Sequence, residues 1–270
     1  MTGSRRRRAW VGCHAIVEPL RIGLLYPELL GTYGDRGNAE VLVWRAMQRN
    51  LAAEVVEVPA AAPVPAGLDA YLLGGGEDAA QATAADLLRS PAGDGLRRVL
   101  ADDRVVLAVC GAFQLLGHTY TDAAGRRTEG LGLLDLDTRS AMPRLVGEVV
   151  ARTREGELLT GFENHGGRTW LGRGVAPLGT VLRGTGNNES DAIEGVRQGA
   201  VIGTYLHGPV LARNPFLADM LLRWILVRRG ADPSILQPLA DDRSRELHDA
   251  RLKASLTQGS ARPARRRRLG

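Results

Sequence analysis

The sequence predicts an α/β fold in which a mainly parallel sheet is flanked by helices, with added antiparallel strands in the second half of the chain. In the first half, short apolar runs alternate with amphipathic segments, which is the pattern of successive strand–helix–strand units. In the second half, short apolar stretches are separated by glycine turns, as in antiparallel hairpins. The chain has 270 residues, of which 44% are hydrophobic, so it can bury the core that such a domain needs.

The first half of the chain supplies the parallel strands. Strands are predicted at 21–26, 53–58, 68–73 and 105–109, and helices at 39–50, 79–89, 93–102 and 111–117. Right-handed crossovers through these helices would make the strands parallel. Because three of the strands end in glycine-bearing loops, those loops should cluster at one sheet edge, where open α/β sheets place their sites.

The second half of the chain predicts shorter elements. Strands are expected at 130–137, 145–152, 158–162, 180–184 and 200–206, followed by a strong helix from 214 or 215 to 227. His165, in the segment NHGGR, is expected in a turn. Since no internal repeat or linker divides the chain, residues 21–229 are interpreted as one domain.

Arginine-rich segments flank this domain. Residues 1–20 are predicted to form a disordered tail, and residues 230–270 a polar, mostly disordered tail with a short helix near 233–237. Eight positive charges lie in the arginine runs 5–8 and 265–268, so the net charge of +5 becomes −3 without them. A mildly acidic body gives little support for specific binding of nucleic acid.

Cysteine content and hydropathy favour a cytoplasmic protein. The chain has 2 cysteines, Cys13 and Cys110, so no disulfide framework is predicted and a reduced setting fits. No apolar run approaches the roughly 18 residues that would indicate a membrane span. The arginine-rich start also lacks the apolar stretch of a signal peptide.

Cys110 is the residue whose position most favours chemistry. It directly follows the unbroken apolar run 105–109 and precedes the helical pattern of 111–117, so it lies at a strand-to-helix corner. That is the geometry of a nucleophile elbow, where the helix N-terminus favours the thiolate. A buried structural cysteine at the end of a core strand would show the same local pattern, so Cys110 alone leaves both interpretations open.

A base for this thiol would have to be a histidine. The poorly placed ones are His14 and His248 in the polar ends, His118 pointing away on the next helix, and His165 in the expected turn. His207 ends a predicted strand at the same sheet edge as Cys110, so strand direction brings it near the thiol. The alternative is a histidine that caps a turn before Pro209.

Glycine-rich loops could complete an acyl-transfer site. Backbone N–H groups of Gly75 or Gly76, and of Gly111, are placed to stabilise an oxyanion, since no Cβ blocks the approach. A flexible turn is the alternative for the glycine run. The sequence has no paired cysteines or histidines at metal-ligand spacing and no GxxxxGK[ST] motif, so neither a metal nor an ATP site is predicted in it.

Six motifs carry a resemblance to class I (triad-type) glutamine amidotransferases, in particular to their cobyric acid synthase branch. Three of them resemble the class as a whole: VCGAFQ at 109–114, LLGGGEDAAQ at 72–81 and GTYLHGP at 203–209. Three more narrow the resemblance to the glutaminase subunits of lipid II isoglutaminyl synthases: GTYGDRGN at 31–38, GFENHGGRT at 161–169 and GNN at 186–188. The resemblance covers about residues 21–229 and implies a flavodoxin-like glutaminase domain.

The resemblance implies a role for each candidate residue. Cys110 would be the nucleophile and His207 the base. The glutamine pocket would be lined by Gln114, Gly75 and Gly111. Arg144 follows the GLGLLDLDT stretch at the place of a family arginine that contacts substrate; an exposed strand-edge arginine is the alternative.

The resemblance also implies a partner. Subunits of this kind form a heterodimer with a Mur-ligase-like (MurT-like) subunit, which would hold ATP and Mg, while this chain would need no cofactor. Ammonia released from L-glutamine would amidate D-glutamate of lipid II in peptidoglycan synthesis, a step of cell wall biogenesis that bears on cell shape. The expected setting is the cytoplasm, although the acceptor is a membrane lipid intermediate.

The sequence departs from the family pattern at two places. Ala108 and Ala112 stand where the usual elbow has glycine, and alanine is small enough for the turn. Pro209 stands where full triads carry a glutamate, two residues after the histidine. An acid from elsewhere in the chain or from the partner is therefore expected to orient His207.

Three other functions compete with this one. An amidotransferase for another acceptor, such as a corrinoid, is disfavoured because those synthetases usually carry the ATP domain in the same chain. A non-catalytic scaffold subunit is disfavoured by the presence of both Cys110 and His207. Nucleic-acid binding rests on the arginine runs alone.

Overall fold

Two β-sheets form the framework of the molecule, and helices cover the first of them. The computed structural model describes residues 18–257 except 33, 61, 103 and 123. The predicted tail at residues 1–17, with Cys13 and His14, lies outside the described residues, as does 258–270. The expected α/β architecture with a mainly parallel sheet is confirmed.

The first sheet is built from the apolar runs of the first half together with two strands from the end of the chain. Its strands are β1 (Leu20–Leu25), β2 (Ala53–Val58), β3 (Ala70–Leu73), β4 (Val105–Val109), β11 (Val196–Gln198) and β12 (Val201–Thr204). They are ordered β11-β12-β4-β3-β1-β2, and all neighbours are parallel except β11 with β12. Every residue of β3, β4 and β12 is buried, as unbroken apolar runs require in a sheet covered on both faces.

Helices close the core around this sheet. They are α1 (Arg36–Met47), α2 (Asp78–Arg89), α3 (Asp94–Ala101), α4 (Gly111–Leu115), α5 (Val210–Arg213), α6 (Pro215–Arg228) and α7 (Asp242–Thr257). α1 packs with α5 and α6, whereas α2 packs with α3 and α4. Among the described residues, no helix combines the length and the apolar character that crossing a bilayer requires.

The second sheet has longer strands than the sequence indicates. Its members are β5 (Thr119–Thr121), β6 (Arg127–Glu129), β7 (Leu136–Thr153), β8 (Leu158–Leu171), β9 (Gly179–Arg183) and β10 (Ile193–Glu194). β7 has 18 residues and contains the strand expected at 145–152 but only the last two residues of the one expected at 130–137, while β8 has 14 residues and runs well beyond 158–162. The prediction of short hairpins is therefore wrong here, because polar residues that tertiary contacts bury interrupt the apolar pattern of both strands.

The C-terminal segment is more ordered than the sequence indicates. A 3₁₀ turn spans Pro233–Ile235, near the predicted helix at 233–237, and α7 follows it. The prediction of a mostly disordered tail from residue 230 is therefore wrong for the described part of that segment. α7 packs on β7, β8 and α5, and the His248 ring donates a hydrogen bond to the Arg213 carbonyl at 2.9 Å. Tertiary contacts rather than an apolar stripe hold this polar helix in place.

Candidate active site

Cys110 lies at the predicted strand-to-helix corner. It follows β4 with φ +53° and ψ −107°, a left-handed conformation that non-glycine residues rarely adopt and that marks strained functional positions. Its N–H donates to the Thr204 carbonyl at 2.8 Å, and its own carbonyl accepts from Gln114 N–H at 3.1 Å. Ala108 and Ala112 are both fully buried, so the small side chains of this variant elbow fit a tightly packed turn.

Gly111 begins the helix behind the thiol in a position that admits no side chain. A Cβ there would lie 2.9 Å from Gln81 Oε1 and 3.3 Å from the backbone nitrogen of Gly76. The loop that follows β3 therefore approaches the elbow directly. The sequence left Gly75 and Gly76 open as donors from that loop, and the structure distinguishes between them.

The Gly75 N–H is already engaged. It donates to Asp35 Oδ2 at 2.7 Å, and the Gly75 carbonyl accepts from Thr32 N–H at 3.2 Å. Because the C=O and N–H of a trans peptide point in opposite directions, the Thr32 contact turns the N–H of Gly76 away from Thr32. Gly76 also lines the cavity beside Cys110. Gly75 thus holds the loop through both of its backbone groups, whereas Gly76 lines the cavity and remains the candidate oxyanion donor of this loop.

His207 lies at the carboxyl end of β12, the strand that pairs with β4. Thr204 is in register with Val109, so the residues after both strands meet at one sheet edge, as expected. The backbone of His207 is fixed by two hydrogen bonds with Phe162 of β8, at 2.9 and 3.2 Å. Pro209, which replaces the expected acid, packs where a Cβ on Gly37 would lie 2.5 Å from its ring.

His165 is the site residue that the sequence placed wrongly. It lies within β8 rather than in a turn, is 1% exposed, and lines the cavity beside Cys110. Its Nδ1 donates to the Gly167 carbonyl at 2.7 Å, and its ring stacks on Tyr205 with centroids 3.6 Å apart. The segment GFENHGGRT contained the signal: residues two apart in a strand share a face, which places Glu163 beside His165 with 3.8 Å between Oε2 and Nε2.

The cavity at this edge has a volume of about 120 Å³ and brings together three of the predicted site residues: Cys110, Gln114 and Arg144. His207 is not part of its lining. The Gln114 side chain is held by Gln81 Nε2 at 2.9 Å and by the Tyr205 hydroxyl at 3.1 Å. Its amide is therefore fixed, and the pocket wall it forms is rigid.

Arg144 reaches the mouth of this cavity from β7. Its guanidinium donates to Asn164 twice, from Nε to Oδ1 at 3.2 Å and from Nη2 to the carbonyl at 2.9 Å. The positive charge acts on both sheet-edge residues, because it lowers the pKa of the Cys110 thiol and that of His207. An arginine in this place can bind a carboxylate next to the nucleophile.

Burial sets the protonation state of the nucleophile. It raises the pKa of the Cys110 thiol to about 12, and the charge of Asp35 contributes in the same direction. The Gly111 N–H at the start of α4 lowers that pKa, as the elbow geometry suggested, but burial outweighs it. The start of α4 thus favours the thiolate as expected, but burial keeps the thiol protonated at neutral pH.

The pKa of the His207 imidazole is shifted downwards, opposite to that of the thiol. Burial is the main cause that lowers the pKa of His207 to about 4, and the neighbouring His165 ring and Arg144 guanidinium contribute to this shift in the same direction. At neutral pH His207 is thus a neutral ring that can accept a proton. A neutral thiol and a neutral imidazole, one after each of two neighbouring strands, have the protonation states that a nucleophile and its general base require.

A second, larger cavity of about 470 Å³ lies between α1, α6 and α7. Its lining contains Arg45, which forms ion pairs with Asp219 at 2.7 Å and with Asp241 at 2.6 Å. Neither a thiol nor the glycine loops of the sheet edge belong to it. The smaller cavity is therefore the candidate site, because it holds the Cys110 thiol together with Gln114 and Arg144.

An amide carbon held between this thiol and these backbone N–H groups would be attacked as in thiol-dependent amide hydrolases, and comparison with known proteins leads to the same class. The chain belongs to the CobB/CobQ-like glutamine amidotransferase domain family, whose sequence model matches residues 21–215. Cys110 and His207 both lie within the matched range.

Two curated relatives are similar over most of their length. The chain is 37% identical over 247 residues to subunit GatD of the lipid II isoglutaminyl synthase (glutamine-hydrolyzing) of Streptococcus pneumoniae, covering 88% of this chain and 94% of that one. It is 39% identical over 202 residues to the subunit of the same name from Staphylococcus aureus, covering 74% and 82%. Among solved structures, PurLQS of Thermotoga maritima has the same fold at 14% identity, with a TM-score of 0.51 over 78% of this chain and 100% of that one.

Proposed function

We propose that this chain is the glutaminase subunit of a lipid II isoglutaminyl synthase. It hydrolyses L-glutamine with Cys110 and His207 and delivers ammonia to an ATP- and Mg-dependent, Mur-ligase-like partner. That partner amidates D-glutamate of lipid II. The observation that carries the proposal is the strained elbow of Cys110 opening into a cavity with Arg144 at its mouth, in a chain that spans 94% of a relative bearing that name.

The chemistry follows from the charges at the sheet edge. Glutamine enters with its α-carboxylate on Arg144 and its side-chain amide at Cys110. As the thiol attacks, His207 takes its proton, an Sγ–C bond forms, and the carbonyl oxygen gains negative charge facing the N–H groups of Gly76 and Gly111. The C–N bond then breaks, the nitrogen receives the proton from His207, and ammonia leaves. Water activated by His207 hydrolyses the thioester to glutamate.

A partner is needed because released ammonia must meet an activated carboxylate. The sequence carries no phosphate-binding motif that would activate one. Both curated relatives are named as subunits of a synthase, which supports a complex. We therefore expect the ligase-like subunit to dock where ammonia leaves the site and to raise the rate of glutamine hydrolysis.

Steady-state ammonia release from L-glutamine tests the glutaminase assignment. It should be measured for the full chain alone and with the ligase-like partner, with Cys110→Ala as the blank. We expect ammonia release that disappears in the blank and increases with the partner. Absence of ammonia in both preparations would contradict the glutaminase assignment, and equal rates would contradict the dependence on the partner.

The acceptor needs a separate measurement. The complex, supplied with glutamine, ATP, Mg and lipid II, should convert one carboxylate of the stem peptide into a carboxamide, which mass spectrometry detects. A corrinoid carboxylate offered under the same conditions is the control acceptor. Amidation of the corrinoid but not of lipid II would assign the chain to the competing amidotransferase function.

A further inference from the structure

Arg168 is a buried arginine to which the reaction described above gives no role. It lies in β8 within the segment GFENHGGRT and is 2% exposed. A buried guanidinium is costly unless every N–H finds an acceptor, so its partners show what it holds. Its partners are three backbone carbonyls and one carboxylate: Ala141 at 3.2 Å, Pro143 at 2.6 Å, Gly166 at 2.9 Å, and Glu189 at 2.9 and 3.1 Å.

Those carbonyls belong to an interruption in the pairing of β7 with β8. Ser140 pairs with Gly167, but the next pair is Leu145 with His165, so residues 141–144 stand opposite Gly166 alone. A bulge of this kind leaves backbone groups without strand partners. The guanidinium of Arg168 donates hydrogen bonds to carbonyls of this bulge, as N–H groups of a paired strand would do.

The bulge ends at Arg144. Arg168 donates a hydrogen bond to the carbonyl of Pro143, the residue directly before Arg144. The Arg144 guanidinium itself donates to Asn164. Met142, within the bulge, is 82% exposed, so burial of its side chain contributes little to holding the backbone there. The position of Arg144 at the cavity mouth therefore depends on Arg168.

The carboxylate of Glu189 balances the charge of Arg168, and the loop that carries Glu189 is held by hydrogen bonds of its own. Glu189 follows the GNN motif, and the hydrogen bond from Arg168 lowers the pKa of the Glu189 carboxyl. Asn188 anchors that loop by donating to the Thr169 carbonyl at 2.8 Å and by accepting from Ser190 N–H at 2.9 Å. Residues of two motifs, Arg168 of GFENHGGRT and the loop after GNN, thus converge on the backbone that carries Arg144.

We propose that Arg168 is a positioning residue that holds the bulge of residues 141–144 so that Arg144 meets the α-carboxylate of glutamine. This inference rests on the proposed function, because it takes the substrate to be an amino acid with a free carboxylate. The planar fork of arginine can bridge several carbonyls at once, which the single ammonium of lysine cannot. The Arg168→Lys substitution keeps the positive charge but removes the set of hydrogen bonds that joins these carbonyls.

The test compares substrate saturation with turnover in the full chain, alone and with its partner. For Arg168→Lys we expect the KM for L-glutamine to rise about tenfold, while kcat stays within about twofold of the wild-type value. Glu189→Gln, whose side chain is half exposed, should change KM in the same direction by a smaller factor and guards against a misfolded lysine variant. Arg139→Lys is the matched control, since Arg139 pairs with Arg168 across the strands but packs over Trp170.

Alkylation of Cys110 gives a readout that does not require turnover. A chloroketone analogue of L-glutamine, which carries the carboxylate, should react more slowly with Arg168→Lys than with wild type. Iodoacetamide, which lacks a carboxylate, should react at an unchanged rate. In an Arg144→Ala background, Arg168→Lys should have no further effect on KM, because Arg168 acts through Arg144.

Two failures are distinguishable. A wild-type chain that releases no ammonia, with or without partner, would overturn the proposed function. An active wild type with an unchanged KM in Arg168→Lys, or with equal slowing by both alkylating agents, would overturn this inference alone.

Discussion

The two sheets contribute different parts of the site. In the proposed mechanism, the first sheet holds the groups that make and break bonds, with Cys110 after β4 and His207 after β12. The second sheet holds Arg144 at the cavity mouth, on a bulge of a long strand whose buried neighbours are polar. The first sheet is apolar and regular, so it fixes reacting atoms rigidly; the second uses hydrogen-bonded side chains, so it shapes recognition.

This difference between the sheets predicts that substitutions in them affect different kinetic constants. Changes in the first sheet should lower kcat, because they remove interactions made as bonds change. Changes in the second sheet should raise KM, because they remove contacts to the unreacting end of the substrate. Each of the following predictions tests that division.

Replacing Cys110 has the largest expected effect. Cys110→Ser and Cys110→Ala should abolish ammonia release, because no other thiol among the described residues can form the glutamyl thioester. Circular dichroism and the melting temperature should match wild type. Substantial glutaminase activity in either variant would remove Cys110 from the mechanism.

Replacing His207 should lower kcat by about 10²–10⁴-fold, the usual contribution of a general base. His118→Ala is the matched control, since His118 is exposed and lies away from the site. Its Nε2 is 3.4 Å from Asp135 Oδ1. Ammonia release at neutral pH measures both. A wild-type kcat in His207→Ala would mean that another group, such as His165, takes the proton.

Replacing Arg144 by alanine should raise the KM for glutamine by roughly 10–100-fold, the range expected when a charge-assisted hydrogen bond is lost. The effect on kcat should be smaller. Arg139→Ala on the same strand should leave KM unchanged. If kcat falls while KM stays constant, the division of labour between the sheets is wrong.

The pH profile of kcat/KM should have an unusually acidic lower limit. The neutral form of His207 is the base, and burial lowers its pKa to about 4, so activity should persist below pH 6 and fall as pH approaches 4. Arg144→Ala should move this limit to higher pH, because the arginine lowers the pKa of His207. A limit near 6.5 in the wild type would contradict a buried neutral imidazole.

Neutralising Asp35 has the smallest expected effect. Its negative charge raises the pKa of the Cys110 thiol, so Asp35→Asn should lower that pKa and speed alkylation by iodoacetamide about threefold at fixed pH. The asparagine oxygen can still accept from Gly75, so the loop should keep its shape. Asp242→Asn, a distant exposed carboxylate, serves as control. Slower alkylation in Asp35→Asn would reverse the assigned sign.

The strands of the first half of the chain could be predicted for the first sheet, because the apolar runs that form them are local features of the sequence. A short unbroken run of apolar, mostly β-branched residues such as 105–109 favours a strand buried on both faces, and alternation with helices makes such strands parallel. Parallel strands bring their carboxyl ends to one edge, which predicts that Cys110 and His207 lie at the same edge of the sheet. The family motifs then identified the residue types that matter.

Tertiary structure alone decided what depends on partners far along the chain. The choice of Gly76 over Gly75 depends on Asp35, 40 residues earlier, and the place of Arg144 depends on contacts from Arg168 and, through it, Glu189. Burial, which no local pattern reports, left the Cys110 thiol protonated although the elbow geometry favours a thiolate. Periodicity records which face of an element is apolar, but it does not record which polar group satisfies another across the fold.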